Sequence, residues 1–183
     1  MAGQTRSALY EPARVSRPEF GEDRLSRRRG HCWTRTPDGQ RLMVLTEFSV
    51  EHVLTMVART EQAILVPGAP QGTRGVVRVT GGEFDGARLS GTIVAGGADW
   101  FTARADGSLR LDVRLLLACS DGAGVLLVYQ GVALPVGDKG YDIRIAPLFE
   151  APEGPHAWLN SIQGVGRGSL VDGGVRYEIY ALQ

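Results

Sequence analysis

Two aspartates raise the first chemical question. Asp99 and Asp112 lie in "GGADWFTARADGSLRLDVRLLL" (residues 96–117), with Trp100 beside the first and Arg114 two residues beyond the second. A carboxylate held against a large aromatic in a pocket mouth loses solvation, so its pKa rises and it can act as a general acid or base. A nearby arginine can hold a carboxylate or stabilise negative charge as it develops. Arg144, on the polar face of "YDIRIAPLFE" with Asp142 and Glu150, is a second such cation, in reach of Asp99 or Asp112 if it crosses a barrel. Asp99 and Asp112 are therefore the candidate proton-moving residues, with Arg114 and Arg144 as catalytic partners. Trp100, Tyr129, Trp158 and Asn160 are the candidate ligand-binding residues, aromatic walls with a phenol or amide that orients by hydrogen bonding. Each set has a plainer alternative. Asp112 and Arg114 can be solvated charges on an outer face, Asp99 a turn residue, and Trp100, Trp158 and Asn160 satisfied packing residues.

Other chemistries lack their residues. No G-x-S-x-G elbow is present, and "GVGRGS" (residues 164–169) is neither a P-loop nor a dinucleotide fingerprint and lacks the following helix. His31, His52 and His156 are scattered, and Cys32 and Cys119 show neither metal-ligand spacing nor a disulfide framework. The expectation is no metal and no cofactor. Twenty Lys and Arg against twenty Asp and Glu leave no basic excess for nucleic acid. The apolar runs fall short of the roughly 18 residues of a membrane helix, and the N-terminus lacks a signal-like apolar core, so a cytoplasmic setting is expected. The partner expected is a small-molecule ligand or substrate, with homo-oligomerisation left open.

The elements that must position these residues are strands. "SLRLDVRLLL" alternates, with Leu109, Leu111, Val113, Leu115 and Leu117 on one face and Arg110, Asp112 and Arg114 on the other. "YDIRIAPLFE" alternates again, and Asp85-Gly86, Asp106-Gly107 and Asp172-Gly173-Gly174 mark turns between strands. "AWLNSIQGVGRGSL" reads as a further strand, placing Trp158 and Asn160 on one face, and residues 50–58 are the only helical contender. Tyr177 and Tyr180 fall on opposite faces of the last strand, so at most one points inward. Many short strands at regular spacing predict an all-β fold, a single antiparallel β-barrel over residues 42–183, after an irregular extension over 1–41 that carries "RLSRRRG". A two-residue turn at Asp106-Gly107 sets residue 101 opposite 112, which places Asp99 on the same face as Asp112 and Arg114.

From Gly81 onward, "GGEFDGARLSG", "GGADW", "LDVRLLL", "IRIAPLFEAP", "AWLNSIQGVGRG" and the terminal "VRYEIYAL" resemble, in order and spacing, the family known as domain of unknown function 3237. Its members are small bacterial and fungal β-barrels of lipocalin-like appearance, so the resemblance implies the fold and almost no chemistry. The family usually carries Tyr where Leu115 stands, and Tyr and Arg where Leu126 and Gln130 stand. Those departures imply a more apolar, differently shaped pocket. The functional expectation is a cofactor-independent cyclase, isomerase or lyase acting on a small apolar or aromatic metabolite. A non-catalytic carrier barrel is the alternative, and a structural oligomer with a filled barrel the third.

Overall fold

The computed structural model describes residues 31–35, 41–45, 49–138 and 140–183. The chain divides into two compact units, Met1–Glu47 and Phe48–Gln183. In the first, β1 (His31–Arg35) pairs antiparallel with β2 (Arg41–Leu45). Residues 42–45, expected to open the barrel, therefore belong to this separate ladder.

The second unit contains β3 (Val50–Thr60), β4 (Ile64–Ala69), β5 (Gly72–Asp85), β6 (Ser90–Ile93), β7 (Ala98–Ala103) and β8 (Leu109–Cys119). These are followed by β9 (Gly124–Val136), β10 (Gly140–Glu150), a 3-10 helix (Ala157–Ser161), β11 (Gly164–Val171) and β12 (Gly174–Leu182). Eight strands run side by side in the order β3, β12, β11, β10, β9, β8, β6, β5, and β5 pairs back onto β3. The result is a closed antiparallel barrel with two extra strands, β7 bridging β5 and β8 and β4 lying along β5. Closure removes the free edges that an open sheet of this kind would leave unpaired.

Alternation sends one face of each strand into the barrel. On β8, Leu111, Val113, Leu115 and Leu117 are buried; on β9, Val125, Leu127 and Tyr129; on β10, Ile143, Ile145, Pro147 and Phe149. Each fully buried aliphatic side chain is worth about 1.5–3 kcal/mol over its exposed state, so this inner face is what fixes the register. β5 serves two sets of neighbours, β4 and β7 with its first half and β3 and β6 with its second. Early in the second half stand Gly81 and Gly82 at φ +140° and +145°, values that residues with a Cβ rarely adopt.

Two local expectations are corrected. Residues 50–58 are strand, not helix: β3 pairs with β12 on one side and β5 on the other, and a register shift opposite Ile179/Tyr180 leaves Val53 and Leu54 both buried. That bulge interrupts the alternation and makes the segment look less strand-like than it is. "AWLN" is the 3-10 helix, not strand, entered through Gly154 at φ +128° and Pro155. Its Leu159 is fully buried in the core.

Candidate functional site

The hairpin that carries both aspartates has a five-residue connection, 104–108, in place of a two-residue turn. Asp106 Oδ1 accepts the Ser108 N–H at 2.9 Å and the Ser108 hydroxyl at 2.7 Å, and Gly107 takes φ +81°. The observed partners are Ala98↔Arg114 and Asp99↔Val113, then Thr102↔Arg110 and Ala103↔Leu109. This differs by one residue from the two-residue-turn register, and in a strand one residue reverses the face. Asp99 thus points into the barrel with Val113, while Trp100 joins Asp112 and Arg114 outside.

Pairing between β7 and β8 is interrupted from Trp100 to Phe101. At the interruption the Asp99 carboxylate takes a backbone role, its Oδ1 accepting the Asp112 N–H at 3.1 Å. Asp99 faces Val77 on β5 and Val113 on β8, and Tyr129 follows Val113 across the next strand. Burial in this apolar setting pushes the Asp99 carboxyl from 3.8 up to about 6; the Asp112 N–H pulls down against that, and the Asp112 carboxylate pushes up. The Tyr129 and Tyr177 rings lie 5.4 Å apart at 60°. Burial raises both phenols, Tyr177 to about 12 and Tyr129 well above its ordinary value, and the Asp99 charge adds to each. The glycines of "GVGRGS" serve this packing. A Cβ on Gly168 would lie 2.6 Å from the Tyr177 ring, so the glycine leaves the ring its place.

Chemically, this is one carboxyl that exchanges its proton near neutral pH beside two phenols that stay protonated. Such a carboxyl is suited to general acid–base work because both its forms are populated at working pH. The phenols supply neutral donors that cannot themselves ionise there.

Of the residues singled out from sequence, the structure brings together Asp99 and Tyr129. Asp112 and Arg114 face outward, 3.9 Å apart, with the arginine side chain 67% exposed. Arg144 is also outside, 60% exposed and 2.9 Å from Asp142, which binds Arg167 as well; it does not cross the barrel to Asp99 or Asp112. Trp100 is 51% exposed on the outer surface. Trp158 sits in the 3-10 helix, at the end of the barrel away from Tyr177, with the Arg88 guanidinium 3.7 Å over its ring. Asn160 is structural: its Oδ1 accepts the Ala151 N–H at 2.7 Å and its Nδ2 donates to the Ala151 carbonyl at 2.9 Å, fastening the helix to the end of β10. Sequence reasoning allowed one of Tyr177 and Tyr180 to point inward but chose neither as a site residue. The signal was the alternation Tyr177, Ile179, Ala181, all buried on one face, which identifies Tyr177 as the inward member of the tyrosine pair.

A closed antiparallel barrel with a desolvated carboxyl and a tyrosine pair inside defines the structural class. Residues 48–182 match the family described as protein of unknown function (DUF3237), and the chain belongs to it. A hydroalkoxylation enzyme of Penicillium herquei is 34% identical over 88 residues, 48% of this chain; the match spans 52%, about half, of that enzyme's own length. A UPF0311 protein of Bradyrhizobium diazoefficiens is 26% identical over 122 residues, 60% of this chain and 80% of that one. Among solved structures, a β-barrel-like protein from Acinetobacter baumannii superposes with a TM-score of 0.69 at 27% identity, covering 75% of this chain and 97% of that one.

Proposed function

We propose that the protein is a cofactor-independent enzyme in which Asp99 moves a proton on a small, largely apolar or aromatic substrate. The observation that carries this reading is the Asp99 carboxyl, raised to about 6 on the inner face of the barrel, next to the Tyr129–Tyr177 pair. The partial likeness to a hydroalkoxylation enzyme points to the reaction class, addition of an O–H across a C=C, and the reading takes both groups to belong to one substrate. In that reaction a C–O bond forms as the π bond breaks, and the hydroxyl proton ends on carbon. Nothing is oxidised or reduced. One group can accept the proton from oxygen and return it to carbon, which is what a carboxyl balanced near neutrality is able to do. Tyr129 and Tyr177 orient the substrate oxygen by hydrogen bonding, and Phe101, Val77 and Leu111 supply apolar walls.

The test is turnover of phenols bearing an alkenyl side chain, scored by chromatography as a product of unchanged mass. Asp99→Asn is expected to lower the rate about 10²- to 10⁴-fold, the usual weight of general acid–base catalysis, while retaining ligand-induced thermal stabilisation. Asp112→Asn is expected to have a far smaller effect, because that side chain lies outside, its backbone N–H still holds residue 99, and only the least of the three influences on the Asp99 carboxyl is lost. Wild-type turnover by Asp99→Asn would refute the proposal. Stabilisation by these phenols without turnover in the wild type would move the reading to a carrier barrel.

A further inference from the structure

At the opposite end of the barrel from Tyr177, three side chains from two distant stretches of chain converge. Cys119 ends β8, Asp121 lies in the turn to β9, and His156 precedes the 3-10 helix. One thiol sulfur, one carboxylate oxygen and one imidazole nitrogen lie within 4.8 Å of one another. Cys119 and His156 are buried, at 6% and 5% exposure. With Ser90 and Ser120 the trio lines a cleft of about 250 Å³.

The imidazole shows that this corner is not ordinary core. His156 Nε2 is 2.9 Å from Asp121 Oδ2, whereas Nδ1 is buried with no hydrogen-bond partner among the described residues. A buried polar nitrogen without a partner is costly, so this imidazole is not satisfied as core packing, and it is Nε2 that faces the Asp121 carboxylate. A thiol-nucleophile role does not fit, since Nδ1 takes no hydrogen bond from the Cys119 thiol and Nε2 is engaged by Asp121. One thiolate, one imidazole and one carboxylate instead form the mixed donor set that borderline divalent cations select.

We propose that Cys119, Asp121 and His156 bind one divalent cation of the zinc class, with a water or small ligand in the cleft as fourth donor. Tetrahedral zinc at ordinary bond lengths sets its donors about 3.3–3.6 Å apart. The trio therefore needs to contract by about 1 Å at its widest and open slightly at its narrowest. The exposed Asp121 side chain has the freedom to open the narrowest pair, its 2.9 Å contact with His156 Nε2. On binding, the thiol proton passes to solvent and the sulfur donates its electron pair to the ion. The bound ion joins the β8–β9 turn to the segment leading into the helix whose Leu159 fills the core, so binding stabilises the folded chain by mass action. Sequence spacing did not disclose the site because His156 lies 35 residues from Asp121 along the chain and meets it only in the folded barrel.

The test uses the full chain with Cys32→Ser, which leaves Cys119 as the only thiol of two. After chelator treatment it is titrated with Co²⁺ and, separately, Zn²⁺. The expected result is a thiolate-to-cobalt charge-transfer band with tetrahedral d–d absorption, saturating at one equivalent, and a higher Tm with Zn²⁺. Adding Cys119→Ser should remove the band. Asp121→Asn, at an exposed position that leaves the fold intact, should weaken binding about 10-fold or more, as even outer-sphere partners do. Absence of charge-transfer absorption in the folded parent, or Zn²⁺ binding unchanged by both Cys119→Ser and Asp121→Asn, would overturn the proposal.

Discussion

Asp99→Asn is expected to make the protein more stable at pH 7.5, and the structure gives the size of the effect. The folded value of about 6 against the ordinary 3.8 means that the folded chain prefers the protonated carboxyl. The stability this group contributes is fully present below 3.8 and is lost as pH rises through 6. The gap is a little over two pH units, at about 1.4 kcal/mol each, so the ceiling is about 3 kcal/mol. Asp99 is only partly buried, and solvent screening brings the working figure to about 1–2 kcal/mol. Asparagine keeps an Oδ1 that can accept the Asp112 N–H, so the substitution removes the charge and spares the hydrogen bond. In a chain of this size each kcal/mol moves Tm by about 2–4 °C. The expected result is a Tm about 2–8 °C above wild type at pH 7.5, shrinking toward zero at pH 4. Thermal unfolding of both proteins across that range, followed by circular dichroism, measures it. A difference that does not change with pH, or a variant less stable at pH 7.5, would show that the charge at Asp99 carries no desolvation cost, and the argument for a tuned carboxyl would fail with it.

Two further substitutions test the frame around the site. A Cβ on Gly75 would lie 2.1 Å from Phe101 Cζ, so Gly75→Ala should destabilise by about 1–3 kcal/mol in denaturant unfolding, and Phe101→Leu in the same chain should recover part of the loss. Asn160→Ala leaves both Ala151 backbone groups without their partner and should cost about 1–3 kcal/mol, without altering the pH dependence that belongs to Asp99.

The barrel was legible because most of its strands announce themselves locally. Leu111 to Leu117 and Ile143 to Phe149 alternate without interruption, and the two-residue turn at Asp172 and Gly173 ends β11 and starts β12 where the sequence places it. What escaped is what depends on partners. The bulge at Val53 and Leu54 is set by the register with β12, and β5 is split between two sets of neighbours. "AWLN" is held as a 3-10 helix by the Asn160 bonds to Ala151, a contact nine residues back along the chain. None of these leaves a periodic trace.

The site shows how small the missing information can be. Asp99 and Asp112 were both chosen for sound chemical reasons, and a hairpin joining them was correctly read. Their faces, however, depend on the parity of the connection. Two residues in the turn would place both carboxylates on one face with Arg114; the five-residue connection separates them. Alternation on β8 already required Asp112 and Arg114 to face away from Leu111 and Val113, so those charges were the weaker half of the pair. Asp99 had no such constraint, since "GGADWF" does not alternate. Its face follows from the observed register, Val77 on one side and Val113 on the other, beyond a loop in which Asp106 accepts two hydrogen bonds from Ser108. A one-residue difference in register thus separates an Asp99 facing outward from the partly buried Asp99 on the inner face of the barrel. That dependence is why the register of a hairpin can govern the acid–base behaviour of a carboxyl several residues from its turn.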